Sequence, residues 1–498
     1  TLTNTYFGGS AGLNVTGRLT DKFSIYGEVR GTIVNDEFDG QRGDMSSNGI
    51  GSATVGISYN FGQPKYIDPD VETRLNLPYN IARAKDGMVL VPGGNIAMEP
   101  VVDPVTGDTL PSKLVAVSPF WMDETEVTNR QYREFVFWVR DSIIRERLAD
   151  PAYGGDPTFK VPTRDNRFVI NWNKPIPWKN PTDREAMTIA SVVSGDSFDS
   201  DKTGLRSTAL NYKYEWFDSK SYYSYLIELD KGSNNAIMIS KDTAYVDATG
   251  QITRETVTRE SFGDLSDFTN TYIVNVYPDV FVWMTDFANA KNEQYMNNYY
   301  TSPTFDNFPV VGVTWEQADA YCAWRTDRFK AKNKGKTDGF QVYRLPTEAE
   351  FEFAARSGRS EFAYSWFSNE IHTKNGLAQG NFRSSADLKD LISPVATFMP
   401  NRFGLYDMSG NVSEWTSTTY AEVADSMTNE VNPDYSFRAV YSDPDILKRK
   451  VVKGGSWKDA GEYTKTGNRT FEQQNKGRSY IGFRCVRSWG LDQKGKFK

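Results

Sequence analysis

RLPTEAEFEFAARSG (344–358), GLYDMSGNVSEW (404–415), VVKGGSW (451–457) and GFRCVR (482–487) follow one another in this order. Their reading decides the fold. In the first, Pro346 ends a strand, Thr347 caps a helix, and Glu350 lies three residues on, where its carboxylate can return to the cap as a capping box. Gly404, Gly410, Gly454 and Gly455 fall where irregular backbone calls for positive φ. Trp415 and Trp457 would fill the space between the loops. By these residues alone, the four stretches describe a scaffold.

Composition narrows what the scaffold can do. The chain of 498 residues has length for two or three domains. Its net charge of −7 and the lack of a basic stripe argue against a nucleic-acid partner. The single histidine, His372, excludes sites that need two or three imidazoles, among them most zinc and non-haem iron centres. His372 lies in SNEIHTKNG and reads as solvated or packed in a loop; no nucleophile–histidine–carboxylate set can be built on it. Cys322 and Cys485 are the only two cysteines, too few for a metal cluster. No stretch of about 18 apolar residues marks a membrane helix. No signal peptide is visible, and the chain reads as processed or truncated upstream of Thr1.

Residues 1–62 differ from the rest. Ala11, Leu13, Val15, Gly17 and Leu19 alternate with polar or small residues, as do Phe23, Ile25, Gly27, Val29, Gly31 and Ile33, and then Ala53, Val55, Ile57, Tyr59 and Phe61. Such alternation suits outer-membrane β-barrel-like strands, with Thr20-Asp21 as a short turn and the segment from Asn35 to Asn48 as a long loop. One sheet of a soluble sandwich has the same pattern. Three strands are too few to close a barrel, so this segment is expected to be incomplete or packed in another way. Residues 63–86 read as a linker. A second domain over 87–490 opens with GMVLVPGGNIAM, and an amphipathic helix is expected over about 128–149, with Tyr132, Phe135, Val136 and Val139 at helical spacing. Residues 150–305 read as an insertion, part hairpin and part loop, with a partner surface. A helix starts again at Thr314 or Trp315, and 491–498 are a tail.

The ordered motifs resemble the formylglycine-generating-enzyme (sulfatase-modifying factor) family. The resemblance implies an α+β, irregular, C-type-lectin-like fold over 87–490, preceded by the antiparallel barrel-like strands. It also implies two copper-binding cysteines just after the GGSW motif. The corresponding positions here are about Asp459 and Thr464, so no catalytic residue is assigned, and neither copper nor iron is expected. Cysteines at the motif positions of Cys322 and Cys485 pair as a structural disulfide in enzymes this chain resembles; two buried free thiols are the other reading. The family also binds calcium at loops matching Asn411, Val412 and Glu414, and Asn381 and Phe382 with Asp387 or Asp390 would begin a second site. Turn chemistry alone explains the same asparagines.

Within the family, EFVFWVRDSI (134–143), LNYKYEWFD (210–218), ISKDTAYVDATGQI (239–252), LKRKVVKGGSWKD (447–459) and RSYIGFRCVRSW (478–489) resemble the GldK (PorK) group of type IX secretion and gliding-motility proteins. That implies a non-catalytic component that self-associates into a ring with a GldN/PorN-type partner, on the periplasmic side of the outer membrane, and supports protein export. The group's N-terminal lipid-bearing cysteine has no counterpart here, so the barrel-like strands would take over the anchoring. The alternatives are a modifying enzyme of unrecognised chemistry and a ligand-binding module.

Overall fold

Thr128 accepts from the backbone N–H of Gln131, whose side chain returns to the backbone of Thr128; this capping box starts helix α1, Asn129–Ala149. The computed structural model describes the backbone of 10–18, 23–34 and 48–59. It also describes 82–488 except 85, 100–111, 164–165, 194–204, 231–236, 247–250, 262, 288–291, 333–341, 384–390, 422–429 and 440–442, and the side chains of 219 and 220. The chain divides into two units, Thr1–Pro78 and Tyr79–Lys498.

The first unit holds β1 (Ser10–Arg18), β2 (Phe23–Val34) and β3 (Asn48–Tyr59), an antiparallel sheet in that order. Its register sets Leu13 opposite Val29 and Val29 opposite Ala53, and Gly17 opposite Ile25 and Ile25 opposite Ile57. The odd-numbered positions of all three strands are therefore in register with one another. A three-stranded sheet is not a closed barrel, and the described backbone does not show the expected outer-membrane barrel. The expected turn at 20–21, the loop over 35–47, residues 63–81 of the linker and the tail at 491–498 lie outside the described residues.

In the second unit, β4 (Met88–Val91), β5 (Gly94–Ala97), β6 (Leu114–Val117) and β7 (Phe120–Asp123) come before α1. Residues 82–84, placed in the expected linker, already join this unit: the N–H of Ala84 donates to Met88 O, and Arg83 bridges Val89. Residues 150–305 contain β8 (Lys160–Pro162), β9 (Phe168–Ile170), α2 (Asp183–Val193), β10 (Asn211–Phe217), α3 (Ser219–Asp230), β11 (Met238–Val246), β12 (Ile252–Glu260) and β13 (Thr269–Asn275). β10 pairs with β13, and their Tyr212, Tyr214, Tyr272 and Val274 enter the same core as α1 and α4, Trp315–Lys332. Tyr132, Phe135, Tyr321 and Phe483 pack there mostly edge to face, with centroids 5.4–6.2 Å apart. β11, α3 and Phe268 form a satellite cluster.

The motif region begins with β14 (Tyr343–Arg344), and Thr347 and Glu350 form the expected capping box on α5, Glu348–Ala355. β15 (Ser413–Thr419), β16 (Arg449–Lys453), β17 (Thr470–Gln473) and β18 (Ile481–Gly482) make a sheet in the order β17-β16-β15-β18. β19 (Val486–Ser488) enters the other four-stranded sheet, β14-β19-β7-β4. Lys453, wholly buried, ties α5 to β16 through Glu352 at 3.0 Å.

Candidate functional site

The GGSW turn depends on glycine. Gly455 has φ 68°, and a Cβ there would stand 2.7 Å from the carbonyl oxygen of Tyr463. The turn presents Ser456, whose N–H (3.0 Å) and Oγ (2.7 Å) both donate to Asp459 Oδ2, while Lys458 Nζ donates to Oδ1 at 2.6 Å. Thr464 is fully buried and its hydroxyl donates to Gly461 O at 2.8 Å. The two positions matched to copper thiolates thus carry a carboxylate fixed in a turn and a hydroxyl closing another. The adjoining groove, about 640 Å³, is walled by Lys458, Asp459, Glu462, Arg469, Glu472 and Tyr480. Such walls suit polar contacts and offer neither soft sulfur nor imidazole.

The cysteines sit elsewhere, in the core beneath α4. Cys322 Sγ and Cys485 Sγ are both buried and lie 3.4 Å apart, in contact but beyond the bonded distance of about 2.05 Å. The structure brings the two cysteines of the expected pair into direct contact. Burial pushes the Cys322 thiol well up, with further upward contributions from Cys485.

The proposed calcium ligands separate into two groups. Asn411, at φ 63°, accepts at Oδ1 from Asn381 Nδ2 and from the N–H of Ser393, both at 3.1 Å, and its N–H donates to Asn381 O at 2.8 Å. Phe382 is buried beside this contact, with the ring of His372 at 5.8 Å. Val412 is buried in an apolar cluster with Trp283 and Trp457. Glu414 is not part of the asparagine contact: Arg484 donates to its two oxygens from Nε at 2.8 and 3.0 Å and from Nη2 at 2.7 Å, both side chains being wholly buried. As arranged, Glu414 does not fit a calcium ion shared with Asn411. Asp387 and Asp390 lie outside the described residues. Among the described residues no group of three His, Cys, Asp or Glu side chains converges to hold a metal.

Sequence reasoning passed over Glu126. Its Oε1 accepts from Asn411 Nδ2 at 3.0 Å, and its carboxyl lies within hydrogen-bonding reach of Asp407. Burial first, then Asp407, raises its carboxyl well above the usual carboxylate range. Its partner Asn411 lies 285 residues away, so no local pattern around Glu126 marks it.

A larger cavity, about 1000 Å³, lies between the β10–β13 region and the motif sheet. Arg438 sits over three rings of its wall, with distances of 3.9 Å to Trp216, 4.8 Å to Tyr272 and 5.2 Å to Trp315. Asp319 accepts from Arg438 Nη2 at 2.7 Å and from the Tyr214 hydroxyl at 2.8 Å. Lys450, wholly buried, lies 4.1 Å above the Trp315 ring and donates to Phe437 O; burial first, then Arg438, lowers its amine to about 7. No spacing in the sequence announces this cavity, since its walls come from residues between 117 and 488.

Relatives now give the arrangement a family. The "Inactive C-alpha-formylglycine-generating enzyme 2" of Mus musculus is 34% identical over 191 residues, 36% of this chain and 50% of that protein. The "Formylglycine-generating enzyme" of Mus musculus is 30% identical over 256 residues, 49% of this chain and 61% of that protein. The chain spans about half the length of the first of these. PvdO from Pseudomonas aeruginosa superposes with a TM-score of 0.40 at 16% identity, over 82% of this chain and 98% of PvdO. Residues 76–220 and 240–489 match the sulfatase-modifying factor enzyme 1-like domain (FGE-sulfatase), and the chain belongs to that family.

Proposed function

We propose that this chain is a non-catalytic member of the family, a structural component of the type IX secretion and gliding machinery that forms a periplasmic ring with a GldN/PorN-type partner. The observation that carries the non-catalytic part is the GGSW turn, where Asp459 is held by Ser456 and Lys458 in place of a thiolate. The machinery and the partner rest on the resemblance in 134–143, 210–218, 239–252, 447–459 and 478–489. The alternating sequence of the three registered strands β1–β3 supports attachment to the outer membrane, since a lipid-facing strand needs that alternation.

Two measurements test this reading on the purified full chain. A cysteine-containing peptide incubated with the copper-supplied protein and oxygen should keep its mass; conversion of the cysteine would overturn the non-catalytic reading. Isolation from detergent-solubilised envelopes should yield a large ring containing a second protein, and a chain recovered without any partner would overturn the machine assignment. A ligand-binding role is the second reading, favoured by the cavity around Arg438. A ligand that protects the chain against heat, and loses that effect in Trp216→Ala, would establish it.

A further inference from the structure

β12 forms the outer strand of a two-stranded ribbon. It pairs with β11 along its whole length, from Val246↔Ile252 to Met238↔Glu260. Among the described residues no backbone bond reaches its other edge. Residues 255–260 are exposed, Val257 to 45%. An open strand edge of this kind is a template for another strand, and proteins commonly guard it with charge.

Here the charges carry a symmetry of their own. The strand reads Arg254-Glu255-Thr256-Val257-Thr258-Arg259-Glu260. Reversing the order of these seven residues exchanges every arginine with a glutamate and returns the threonines and the valine to themselves. The same strand, running antiparallel, therefore matches that pattern at every position.

We propose that two copies of this chain join edge to edge through β12, antiparallel about a two-fold axis at Val257. Val257 then faces Val257 of the second copy and Thr256 faces Thr258. Arg254 faces Glu260 and Glu255 faces Arg259, each pair occurring twice by symmetry. Opposite charges directly across a strand pair stabilise it and like charges oppose it, so the same pattern that repels most strands accepts its own copy. The existing bonds leave room for this. Arg254 holds Glu316 at 2.6 and 2.9 Å on the face it shares with Thr256, and Glu255 accepts from the Tyr245 hydroxyl at 2.8 Å on the opposite face. Neither contact uses the backbone edge. A two-fold contact closes at two copies, so it stands independently of the ring reading and of the partner proposed above.

Sedimentation equilibrium of the purified full chain in detergent tests the proposal. The wild type should reach twice the 56.3 kDa mass of the chain. Glu255→Arg and Arg259→Glu should each weaken the dimer by about tenfold or more, because each sets two like-charged pairs across the axis. An equimolar mixture of the two variants should recover the dimer, since every pair between unlike variants is again arginine against glutamate. A wild type that stays monomeric, or a dimer that persists unchanged in either variant alone, would overturn the proposal. Arg259 also pairs with Asp267, so its reversal can weaken the fold. A second measurement therefore uses Val257→Cys and Thr253→Cys with a short bis-maleimide. Cross-linked dimers should form at 257 and not at 253, and equal yields at both positions would count against this register.

Discussion

Arg484 and Glu414 form a charge pair with no exposed surface, and the arginine also donates to Tyr406 O at 2.9 Å. Removing one partner leaves the other charge buried and unpaired. Arg484→Ala should therefore cost roughly 3–5 kcal/mol, measured by urea denaturation, while a loss below about 1 kcal/mol would contradict the pairing. Lys450 gives a pH dependence of definite sign. Its amine falls from the ordinary 10.5 to about 7 in the folded chain. Between those values the unfolded chain keeps a proton that the folded chain releases, so this group makes stability rise with pH across that window and stay level below it. Lys450→Met should be more stable than the wild type at pH 7, by at most about 4 kcal/mol, with the advantage shrinking toward pH 10. The thiols make the third prediction at this scale. Cys322 and Cys485 are close enough that oxidation should link them, closing a loop worth at most about 5 kcal/mol by chain entropy. Denatured protein from an oxidising preparation should take up no alkylating reagent until it is reduced; two labels beforehand would show that the pair remains as thiols.

At the scale of elements, the capping boxes of α1 and α5 can be tested directly. Thr347→Ala removes the acceptor for the Glu350 N–H, at 3.1 Å, and should lower stability by about 1 kcal/mol. Glu350 also receives Arg344 at 2.6 and 2.7 Å, so Glu350→Ala should cost more than the cap alone. These elements were legible because their chemistry is local: Thr347 and Glu350 stand three residues apart, and Tyr132, Phe135, Val136 and Val139 repeat within one helix. What escaped the sequence was assembled from distance. Glu414 read as a calcium ligand because its loop matches one at which the family binds calcium; the arginine that holds it lies 70 residues away in GFRC. Trp216, Tyr272, Trp315 and Arg438 share one cavity, yet no interval between them repeats. The self-complementarity of β12 is written in seven consecutive residues, but it has no meaning until the pairing with β11 shows which edge is left open.

For the molecule as a whole, the order of strands in the β14-β19-β7-β4 sheet matters most. β19 lies between β14 and β7, pairing Val486 with Met122 and Arg344 and Arg487 with Trp121 and Tyr343. Just before it, Cys485 N–H donates to Asp123 Oδ2 and Cys485 O accepts from Asp123 N–H, both at 2.9 Å. Removing residues 481–498 should therefore abolish cooperative unfolding rather than trim the edge; a sharp thermal transition in that truncated chain would contradict this. The arrangement also sets a clock. The strands around residue 120 leave the ribosome some 360 residues before the segment that completes their sheet, and contacts across such separations are slow to form. Ribosome-bound chains stalled short of residue 488 should stay open to protease, and chains released beyond it should become resistant. A protein built this way keeps the sheet of β4 and β7 incomplete until the ribosome has passed residue 488.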